Sequence, residues 1–351
     1  MLNKELTIGQ DILEILLKDN TTKKNIIWAT DEYSEIGNGY GFYDEITIEK
    51  ISDDNAGIIK SRNYKDDSIQ QSRVRTKGEV FTPAWVCNMQ NNAVDEAWFQ
   101  YEYGENALDT CTMCVVADNQ DYGMFNKAVP GSWEVIEKKV NFPEVGENKE
   151  KSWQSYVWQK RLEIACGEAP YLTTRYDAAT GEIIDVKNRI GLLDRKLRVI
   201  GERVRTHKSW LVWTKRALQS TYGYDWQGDN VLLARKNVLF TVMEHYAYKY
   251  EKELAKTYII EFAKIISWNI WQMDGIRFVL PKSCHDVWAD EDKLEDCMPD
   301  LFGSTKEKHK KLVPCPGCKN NDSTKHSGIY CKIKDWPNRR IISMLEVIKN
   351  D

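Results

Sequence analysis

A short apolar segment that runs into a glycine turn constrains the fold of this chain more than any other feature. Residues 161–172 read Arg-Leu-Glu-Ile-Ala-Cys-Gly-Glu-Ala-Pro-Tyr-Leu, which predicts a strand over residues 162–165 and a turn centred on Gly167. In α/β folds, the turn after such a strand lets a nucleotide-like ligand approach backbone N–H groups closely. A buried strand followed by an ordinary turn is the alternative, and the segments on either side must decide between them.

Length and charge limit the classes of protein to which this chain can belong. Its 351 residues suffice for one large domain or two ordinary ones, and 42% apolar and 29% charged residues are typical of a globular protein. The net charge of −4 argues against a DNA-binding protein that acts alone, because neutralising phosphates requires a basic surface. If DNA is the substrate, we expect a partner to supply most of the contact.

Neither an export signal nor a membrane span is predicted. The first ten residues hold no basic segment followed by an apolar run, and no apolar run approaches the roughly 18 residues that cross a bilayer. Nine cysteines without an export signal favour reduced thiols, and a metal site, over a disulfide framework. These features predict a cytoplasmic protein with no membrane partner.

A helix is predicted shortly before the glycine turn. Thr82 is placed to be its N-cap and Pro83 its first helical residue. Four apolar residues then recur at helical spacing and predict its buried stripe: Val86, Met89, Ala93 and Ala97. The N-terminus of such a helix attracts a carboxylate or a phosphate, although a well-capped helix without a ligand has the same pattern.

Two further strands are predicted to end in acidic residues. Residues 222–225 form a strand that ends at Asp225 and is followed by a helix, and residues 269–274 form another that ends at Asp274. Acids in this position hold ribose hydroxyls in nucleotide-binding α/β folds. Between the glycine turn and Asp225, the sequence predicts a hairpin around Thr180-Gly181 and a basic amphipathic segment over residues 194–204.

Taken in order, these segments resemble the adenine-N6 DNA methyltransferases of restriction–modification systems, in particular the restriction endonuclease subunit M proteins. The resemblance covers the chain from about residue 76 onwards. The family's Gly-Glu-Val-Phe-Thr-Pro segment is intact at residues 78–83, and its Asp-Pro-Ala-Cys-Gly-Ser-Gly-x-Phe-Leu loop aligns with residues 163–172. Its Tyr-Gly-x-Asp, Asn-Ile-x-x-Gly-Asp and Ile-x-Phe-Ser-Glu-Trp segments align with residues 222–225, 269–274 and 330–336.

The resemblance implies an α/β, Rossmann-like fold that binds S-adenosylmethionine (SAM). The implied domains are an N-terminal extension (1–72), a SAM-binding core (73–280, with insertions at about 100–155 and 173–220), a zinc-knuckle insertion (281–329), and a terminal strand and helix of the core (330–351). The implied cofactor contacts are Phe81, Thr82 and Pro83 to the methionine carboxylate; Glu163, Ala165, Cys166 and Gly167 beside the methionine; Asp225, with Trp226, to the ribose; and Asp274 to the adenine amino group.

The chain departs from the family in its glycine loop and in its catalytic segment. Glu168 and Ala169 replace the family's Ser and Gly, and the nine prolines include no Pro-Pro pair. The family's catalytic (Asn/Asp/Ser)-Pro-Pro-aromatic segment, which holds the flipped base, is therefore missing, and we assign no catalytic residue.

Two explanations remain for this missing segment. A second methyltransferase or specificity subunit could supply it and contact DNA within a complex, or the chain could be a non-catalytic interaction protein that keeps the fold. Because the resemblance stops where the Pro-Pro segment would begin, we expect the split enzyme. A methyltransferase that acts on RNA or on a small molecule is a third possibility.

A Cys/His-rich segment near the C-terminus predicts a structural zinc site. Cys315-Pro-Gly-Cys318 has the spacing that presents two thiolates to tetrahedral zinc. Cys284 and His326 are the expected remaining ligands, with Cys297 and Cys331 as alternatives. Four protein ligands leave no open position for catalysis. The Pro314-Cys315 dipeptide also fits a cytosine-C5 nucleophile, but the metal interpretation explains more of the cluster.

Overall fold

The computed structural model describes residues 8–61, 82–103, 125–140, 142, 153–290 and 310–350. Helices and strands alternate through these residues, and three of the strands form a small parallel sheet. The predicted α/β class is therefore confirmed. The described strands do not complete a doubly wound sheet, so the finer prediction of a Rossmann-like methyltransferase fold is not confirmed.

The helices alternate with the strands along the chain. They are α1 (Gln10–Leu17), α2 (Ala84–Tyr103), α3 (Trp153–Trp158), α4 (Leu192–Arg203), α5 (His207–Gln219), α6 (Gly228–Tyr250), α7 (Lys256–Asn269), α8 (Pro316–Asn320) and α9 (Met344–Asn350). Single turns of 3-10 helix lie at Ser34–Ile36, Ile48–Lys50, Asp53–Asn55 and Val186–Asn188.

The strands form one parallel sheet and three antiparallel pairs. They are β1 (Asn126–Val129), β2 (Ser132–Val135), β3 (Arg161–Glu163), β4 (Thr221–Asp225), β5 (Ile270–Gln272), β6 (Val287–Asp290), β7 (Lys310–Val313), β8 (Lys332–Asp335) and β9 (Arg340–Ser343). The parallel sheet has the order β3-β4-β5, with Leu162 opposite Tyr222 and Tyr224 opposite Trp271. The antiparallel pairs are β1-β2, β6-β7 and β8-β9.

Helix α6 lies at the centre of the core and is buried along most of its length. An apolar helix that faces its neighbours on every side must be surrounded by other elements, and α6 contacts α1, α4, α7, β4 and β5. Its Arg235 is fully buried and donates to the backbone oxygens of Lys18, Ser267 and Ile270 at 2.8–3.0 Å. This guanidinium therefore joins α1 to the C-terminal end of α7.

The N-terminal residues pack against the strand ends of the parallel sheet. The Ile27 N–H donates to Gln272 Oε1 at 3.0 Å, and the Gly228 N–H donates to the Trp28 oxygen at 3.1 Å. Residues 25–60 form isolated bridges, such as Ile27 with Glu45, and 3-10 turns. Several of their apolar side chains, among them Ile26, Trp28 and Ile46, are buried without a continuous partner strand.

We expect Gly228→Ala to destabilise the protein, because a Cβ at this position would lie 2.0 Å from the Ile27 oxygen. Overpacking against fixed backbone costs about 1–3 kcal/mol. Gly201→Ala in α4 is the matched control, because its Cβ would meet only Lys249 Cδ at 3.9 Å, and alanine stabilises a helix interior by about 0.5–1 kcal/mol. Urea unfolding of both variants tests this, and equal stabilities would contradict the close approach.

Helix α2 buries a polar face rather than the apolar stripe that was predicted. Met89, Ala93 and Ala97 are exposed, whereas the buried residues along the helix are Ala84, Cys87, Asn88, Asn91, Asn92, Asp95, Trp98 and Phe99. The prediction was wrong because buried arginines on other elements pair with this polar face, and the spacing of apolar residues does not reveal them.

The chain divides into two compact units, Met1–Gln272 and Met273–Asp351. This division lies close to the boundary predicted near residue 280. The first unit holds the parallel sheet and the helices around it. The described part of the second unit holds the pairs β6-β7 and β8-β9, with α8 and α9.

Candidate functional site

Two groups of side chains stand out, one in each unit. In the first unit, the acids Glu163 and Asp225 end the parallel strands β3 and β4, and the glycine loop follows β3. In the second unit, Cys284, Cys315, Cys318 and His326 converge. Each group is described separately below.

The loop after β3 adopts an unusual backbone conformation. Ala165, Gly167 and Ala169 have φ angles of +47°, +52° and +64°, which lie in the left-handed region. This conformation costs a non-glycine residue roughly 1–2 kcal/mol and occurs more often at binding sites than elsewhere. Ala165 is exposed and Gly167 half-buried, so their backbone is accessible, whereas the Cys166 thiol is buried against Gly223.

The carboxylate of Asp225 holds this loop against β4. Its Oδ2 accepts from the Gly167 N–H at 2.8 Å, and its Oδ1 accepts from the Gln227 N–H at 3.0 Å and from Asn230 Nδ2 at 3.2 Å. The structure therefore brings Gly167 and Asp225 together and gives the acid a structural role in the loop.

Trp226, predicted beside the cofactor, is held by the N-terminal residues. Its indole N–H donates to the Ala29 oxygen at 3.1 Å, and its ring meets Phe42 edge-on at 6.3 Å between centroids. Its polar group is therefore used within the protein.

Glu163 closes the far end of the same loop. Its buried carboxylate accepts from the N–H groups of Tyr171 and Leu172 at 3.3 and 3.1 Å. Burial raises the pKa of Glu163 to about 8, and the Asp225 carboxylate raises it further, against the effect of these two hydrogen bonds. Glu163 thus fixes the backbone at Tyr171 and Leu172, where the loop ends.

This raised pKa predicts a pH dependence of stability. Between about pH 4.5 and 8, the folded chain keeps a proton on Glu163 that the unfolded chain has lost, so stability falls as pH rises. One such group contributes a slope of up to about 1.4 kcal/mol per pH unit. We expect Glu163→Gln to flatten this part of the profile in urea unfolding, and Glu182→Gln, at an exposed acid, to leave it unchanged. A profile of the Glu163 variant parallel to the wild type would contradict the assignment.

The start of helix α2 lies beside the glycine loop. The helix begins at Ala84, one residue later than predicted, and the Thr82 and Cys87 side chains both lie beside the Tyr171 side chain. The Ala84 N–H donates to Asp177 Oδ2 at 2.8 Å. A carboxylate does meet this helix N-terminus, but it belongs to the protein. Phe81 lies outside the described residues.

The two residues that depart from the family pattern are buried inside the loop. Glu168 accepts a hydrogen bond from the Tyr176 hydroxyl, and its backbone oxygen accepts from Asn237 Nδ2 at 2.9 Å. Ala169 is fully buried in its left-handed conformation. Both residues fix the loop to its neighbours and leave the accessible backbone at Ala165 and Gly167.

A buried ionic network supports β3, and sequence reasoning missed it. Asp95 of α2 accepts from Arg161 of β3 at 2.8 Å and from Arg195 of α4 at 2.7 Å, and Tyr156 donates to the same carboxylate at 3.1 Å. Arg195 also donates to Asn92 Oδ1 at 2.8 Å. The closely spaced Asn88, Asn91, Asn92 and Asp95 were the available signal, but a helix with this spacing resembles a solvated face.

A groove of about 1440 Å³ also lies in the first unit, away from the strand ends. Pro83 and Trp85 line one part of it, and a buried pair of Asp194 and His245, 2.8 Å apart, lines another. Neither Asp225 nor the glycine loop lines this groove. Of the predicted cofactor residues, Pro83 lines the groove, and its volume gives no support to a ligand at Asp225 or at the glycine loop.

Asp274 belongs to the second unit. Its carboxylate accepts from the N–H groups of Ile276 and Arg277 at 3.0 and 3.1 Å and pairs with the Arg277 guanidinium at 3.0 Å. Strand β5 ends two residues earlier, at Gln272. The structure does not test the predicted pairing of Asp274 with Asp225 around one ligand.

The four predicted metal ligands form one cluster in the second unit. The sulfur atoms of Cys284, Cys315 and Cys318 lie 3.6, 3.7 and 3.6 Å from His326 Nδ1, and all four ligand atoms lie within 4.8 Å of one another. Zn–S and Zn–N bonds of ordinary length at a tetrahedral angle place sulfur and nitrogen about 3.6 Å apart. The cluster could therefore bind a metal such as zinc.

The chain is built closely around these ligands. Cys315 precedes the short helix α8, and its sulfur accepts from the Ser327 N–H at 3.2 Å. A Cβ at Gly317 would lie 2.6 Å from His326 Nδ1, and a Cβ at Gly328 would lie 3.0 Å from Cys284 Sγ. Only glycine lets these turns bring the ligands together. The alternative ligand Cys331 is buried outside the cluster, and Cys297 lies outside the described residues.

The pKa values of two of the three neighbouring thiols, Cys284 and Cys315, are shifted in opposite directions. Burial, followed by the nearby sulfurs of Cys318 and Cys315, raises the pKa of Cys284 to about 12. Burial also disfavours the Cys315 thiolate, but hydrogen bonds from Ser327 outweigh it and lower the pKa of Cys315 to about 5. A divalent cation would relieve the repulsion among three thiolates, because it deprotonates and binds all of them.

Comparison with protein-family models, with curated proteins and with solved structures gave no match. Among the described residues, no helix is long and apolar enough to cross a membrane. The family resemblance and the function that it implies therefore stay predictions.

Proposed function

We propose that this chain is the SAM-binding subunit of a split adenine-N6 DNA methyltransferase, and that structural zinc stabilises its second unit. The observation that carries the proposal is the parallel sheet, whose first strand ends in a left-handed loop held by the acid of the next strand. Nucleotide-like ligands of α/β folds bind at this place, outside the carboxyl ends of the strands.

The order of the strands β3, β4 and β5 matches one half of a doubly wound sheet. Doubly wound sheets have the order 3-2-1-4-5-6, and ligands bind beside strand 1, where the order reverses. Strands β3, β4 and β5 adjoin one another in chain order and are connected through helices, as strands 1, 2 and 3 of that arrangement are. Among the described strands, none occupies the position of strand 4.

Each proposed cofactor residue has a role that fits its surroundings. The accessible backbone of Ala165 and Gly167 would face the methionine part of SAM, and Thr82 lies beside the same loop through its contact with Tyr171. Asp225 ends β4 beside Gly167 and would accept from a ribose hydroxyl. Glu163 would act through the loop, because its carboxylate is buried beneath it.

The zinc would have a structural role. Three thiolates and one imidazole fill a tetrahedral site, so no position remains for a substrate or for water. Such a site contributes directly to folding. Catalysis would then depend on the partner that carries the Pro-Pro-aromatic segment and reads the DNA.

Methyl transfer by the two chains together tests this function. The full chain would be mixed with the candidate partner, meaning the product of the neighbouring reading frame with an Asn-Pro-Pro-Tyr-like segment. We expect radiolabelled methyl groups from SAM to appear on adenine N6 in DNA only when both chains are present. In the Asp225→Asn variant we expect the rate to fall roughly tenfold or more, because lost cofactor hydrogen bonds cost about 1.4 kcal/mol or more. Unlabelled DNA with both chains present would contradict the proposal.

The second candidate function is a non-catalytic interaction protein that keeps the fold. The internal hydrogen bonds of the site favour it, because groups that would contact a cofactor bond to the protein itself. Asp225 accepts from the Gly167 N–H, and Asp177 accepts from the Ala84 N–H at the start of α2. This candidate predicts that the complex forms without any affinity for SAM. A measurable SAM affinity that Asp225→Asn abolishes would exclude it.

A further inference from the structure

The outer edge of strand β3 is open and apolar. Leu162 is 53% exposed and Ile164 is 66% exposed, while Arg161 and Glu163 between them are buried. Leu162 lies in β3 and Ile164 directly follows its last residue, Glu163, so both exposed aliphatic side chains lie at this strand. The strand predicted from its apolar residues thus has its apolar face outward and its charged residues inward.

The backbone of this edge is also available for pairing. The Arg161 N–H donates to the Ser220 oxygen at 2.9 Å, so the backbone groups of Arg161 point toward β4. Successive residues of a strand point in opposite directions, so the Leu162 N–H and C=O point away from β4. Among the described residues, no strand pairs with β3 on that side.

Such an edge is unusual for a strand of this kind. Parallel sheets are normally covered, and natural edge strands are blunted by lysine, proline or a bulge. On its open side, β3 instead offers Leu162 and Ile164, and the buried pair of Arg161 with Asp95 at 2.8 Å fixes it from the other side. A rigid apolar edge of this type is a template for another strand.

We propose that a strand of the partner subunit pairs in parallel with β3, accepts from the Leu162 N–H, donates to the Leu162 C=O, and covers Leu162 and Ile164 with apolar side chains. This inference rests on the proposed function, because the added strand takes the position of strand 4 in a doubly wound sheet. The chain then supplies strands 1, 2 and 3, and the partner continues the sheet.

The parallel direction follows from the site. The carboxyl ends of parallel strands meet at one edge of the sheet, and the ligand crevice forms between strands 1 and 4, where the order reverses. A segment that follows the partner strand would therefore lie beside the loop of Ala165 and Gly167. The Pro-Pro-aromatic segment in this position would face the methyl donor, and neither chain would hold a complete crevice alone.

A second copy of this chain fits the edge less well. A twofold axis would pair two β3 edges antiparallel, because isologous contacts place the same residues against each other. In that pairing the glycine loops that follow the two β3 strands would point to opposite ends. No shared crevice would form.

Crosslinking from the edge tests the inference. The full chain would carry p-benzoylphenylalanine at position 162, or at position 183 as a control, since Ile183 is 69% exposed elsewhere. After irradiation with the candidate partner, we expect position 162 to crosslink to partner residues within one strand length before the Pro-Pro segment, and position 183 not to do so. Crosslinks from position 162 to this chain, to a second copy or to another partner region would overturn the inference, as would their absence.

Substitutions at the edge separate this inference from the proposed function. We expect Leu162→Asp, Ile164→Asp and Leu162→Pro each to weaken the complex roughly tenfold or more, whereas Ile183→Asp leaves it unchanged. The proline variant removes only the outward N–H and one side chain, which an edge strand tolerates. If these variants bind the partner normally while wild-type complex binds SAM, the edge is wrong and the function stands. If the wild-type complex binds no SAM, the proposed function fails.

Discussion

Replacing Cys315 and Cys318 together with alanine will abolish zinc binding and unfold the second unit. Their sulfurs supply two of the four ligand atoms that lie within 4.8 Å of one another, so the variant keeps only Cys284 and His326. Structural zinc contributes about 10–16 kcal/mol of apparent binding free energy in small zinc domains, which exceeds the stability of most domains. Among the described residues of the second unit, few apolar side chains are buried, so they form only a small core to replace it.

Metal analysis and limited proteolysis measure this result. Protein purified without chelator should contain about one zinc per chain, and the double variant about none. Proteolysis of the double variant should remove residues beyond Gln272 while the first unit persists. Cys331→Ala is the matched control, because its buried thiol lies in the same unit outside the cluster, and it should keep its zinc. Unchanged zinc in the double variant would contradict the assignment.

Asp95→Ala will destabilise the first unit by about 3–5 kcal/mol, the usual cost of breaking a buried ion pair. Asp95 is 1% exposed and pairs with Arg161 and Arg195 at 2.8 and 2.7 Å. Its loss leaves two buried guanidinium groups without their carboxylate. Because Arg161 lies on β3, the glycine loop should also lose its support.

Chemical unfolding of the full chain, followed by tryptophan fluorescence, measures this change. Glu261→Ala is the control, because Glu261 pairs with Lys215 at the surface, where both side chains are 40% or more exposed. Exposed pairs contribute about 0–1 kcal/mol. If Asp95→Ala lowers the free energy of unfolding by less than about 1 kcal/mol, the Asp95 ion pairs behave like exposed pairs, which would contradict their burial.

The four residues of the Cys/His cluster could be predicted because their signal is local. The Cys315-Pro-Gly-Cys318 spacing sets two ligands on one turn, and few other cysteines and histidines are near enough to complete the set. Cys331, the alternative ligand, lies directly before β8 and is not part of the cluster.

The buried face of α2 could not be predicted in the same way. Asn88, Asn91 and Asp95 are buried only because Arg161, Arg195 and the neighbouring backbone satisfy them, and those partners lie far away in the chain. Periodicity reports which residues are apolar, whereas burial of polar groups depends on hydrogen-bond partners.

An apolar strand was predicted over residues 162–165 and a strand is found at Arg161–Glu163, but its apolar residues are not its buried ones. Leu162 and Ile164 suggested a buried apolar strand, yet they are exposed while Arg161 and Glu163 are buried. Alternation gives two sets of residues and does not state which set faces the core. The inversion is informative, since the exposed set marks the edge at which we propose that the partner strand pairs.

Isothermal titration of SAM into the full chain, alone and with the candidate partner, measures directly whether this chain binds the cofactor. We expect saturable heat at a stoichiometry of about one SAM per chain, lost in Asp225→Ala and kept in the control Cys331→Ala. We also expect tighter binding in the complex, because the partner strand would complete the crevice beside Gly167. No heat of binding in either sample, or equal binding by the Asp225 variant, would show that the chain has no SAM site at Asp225.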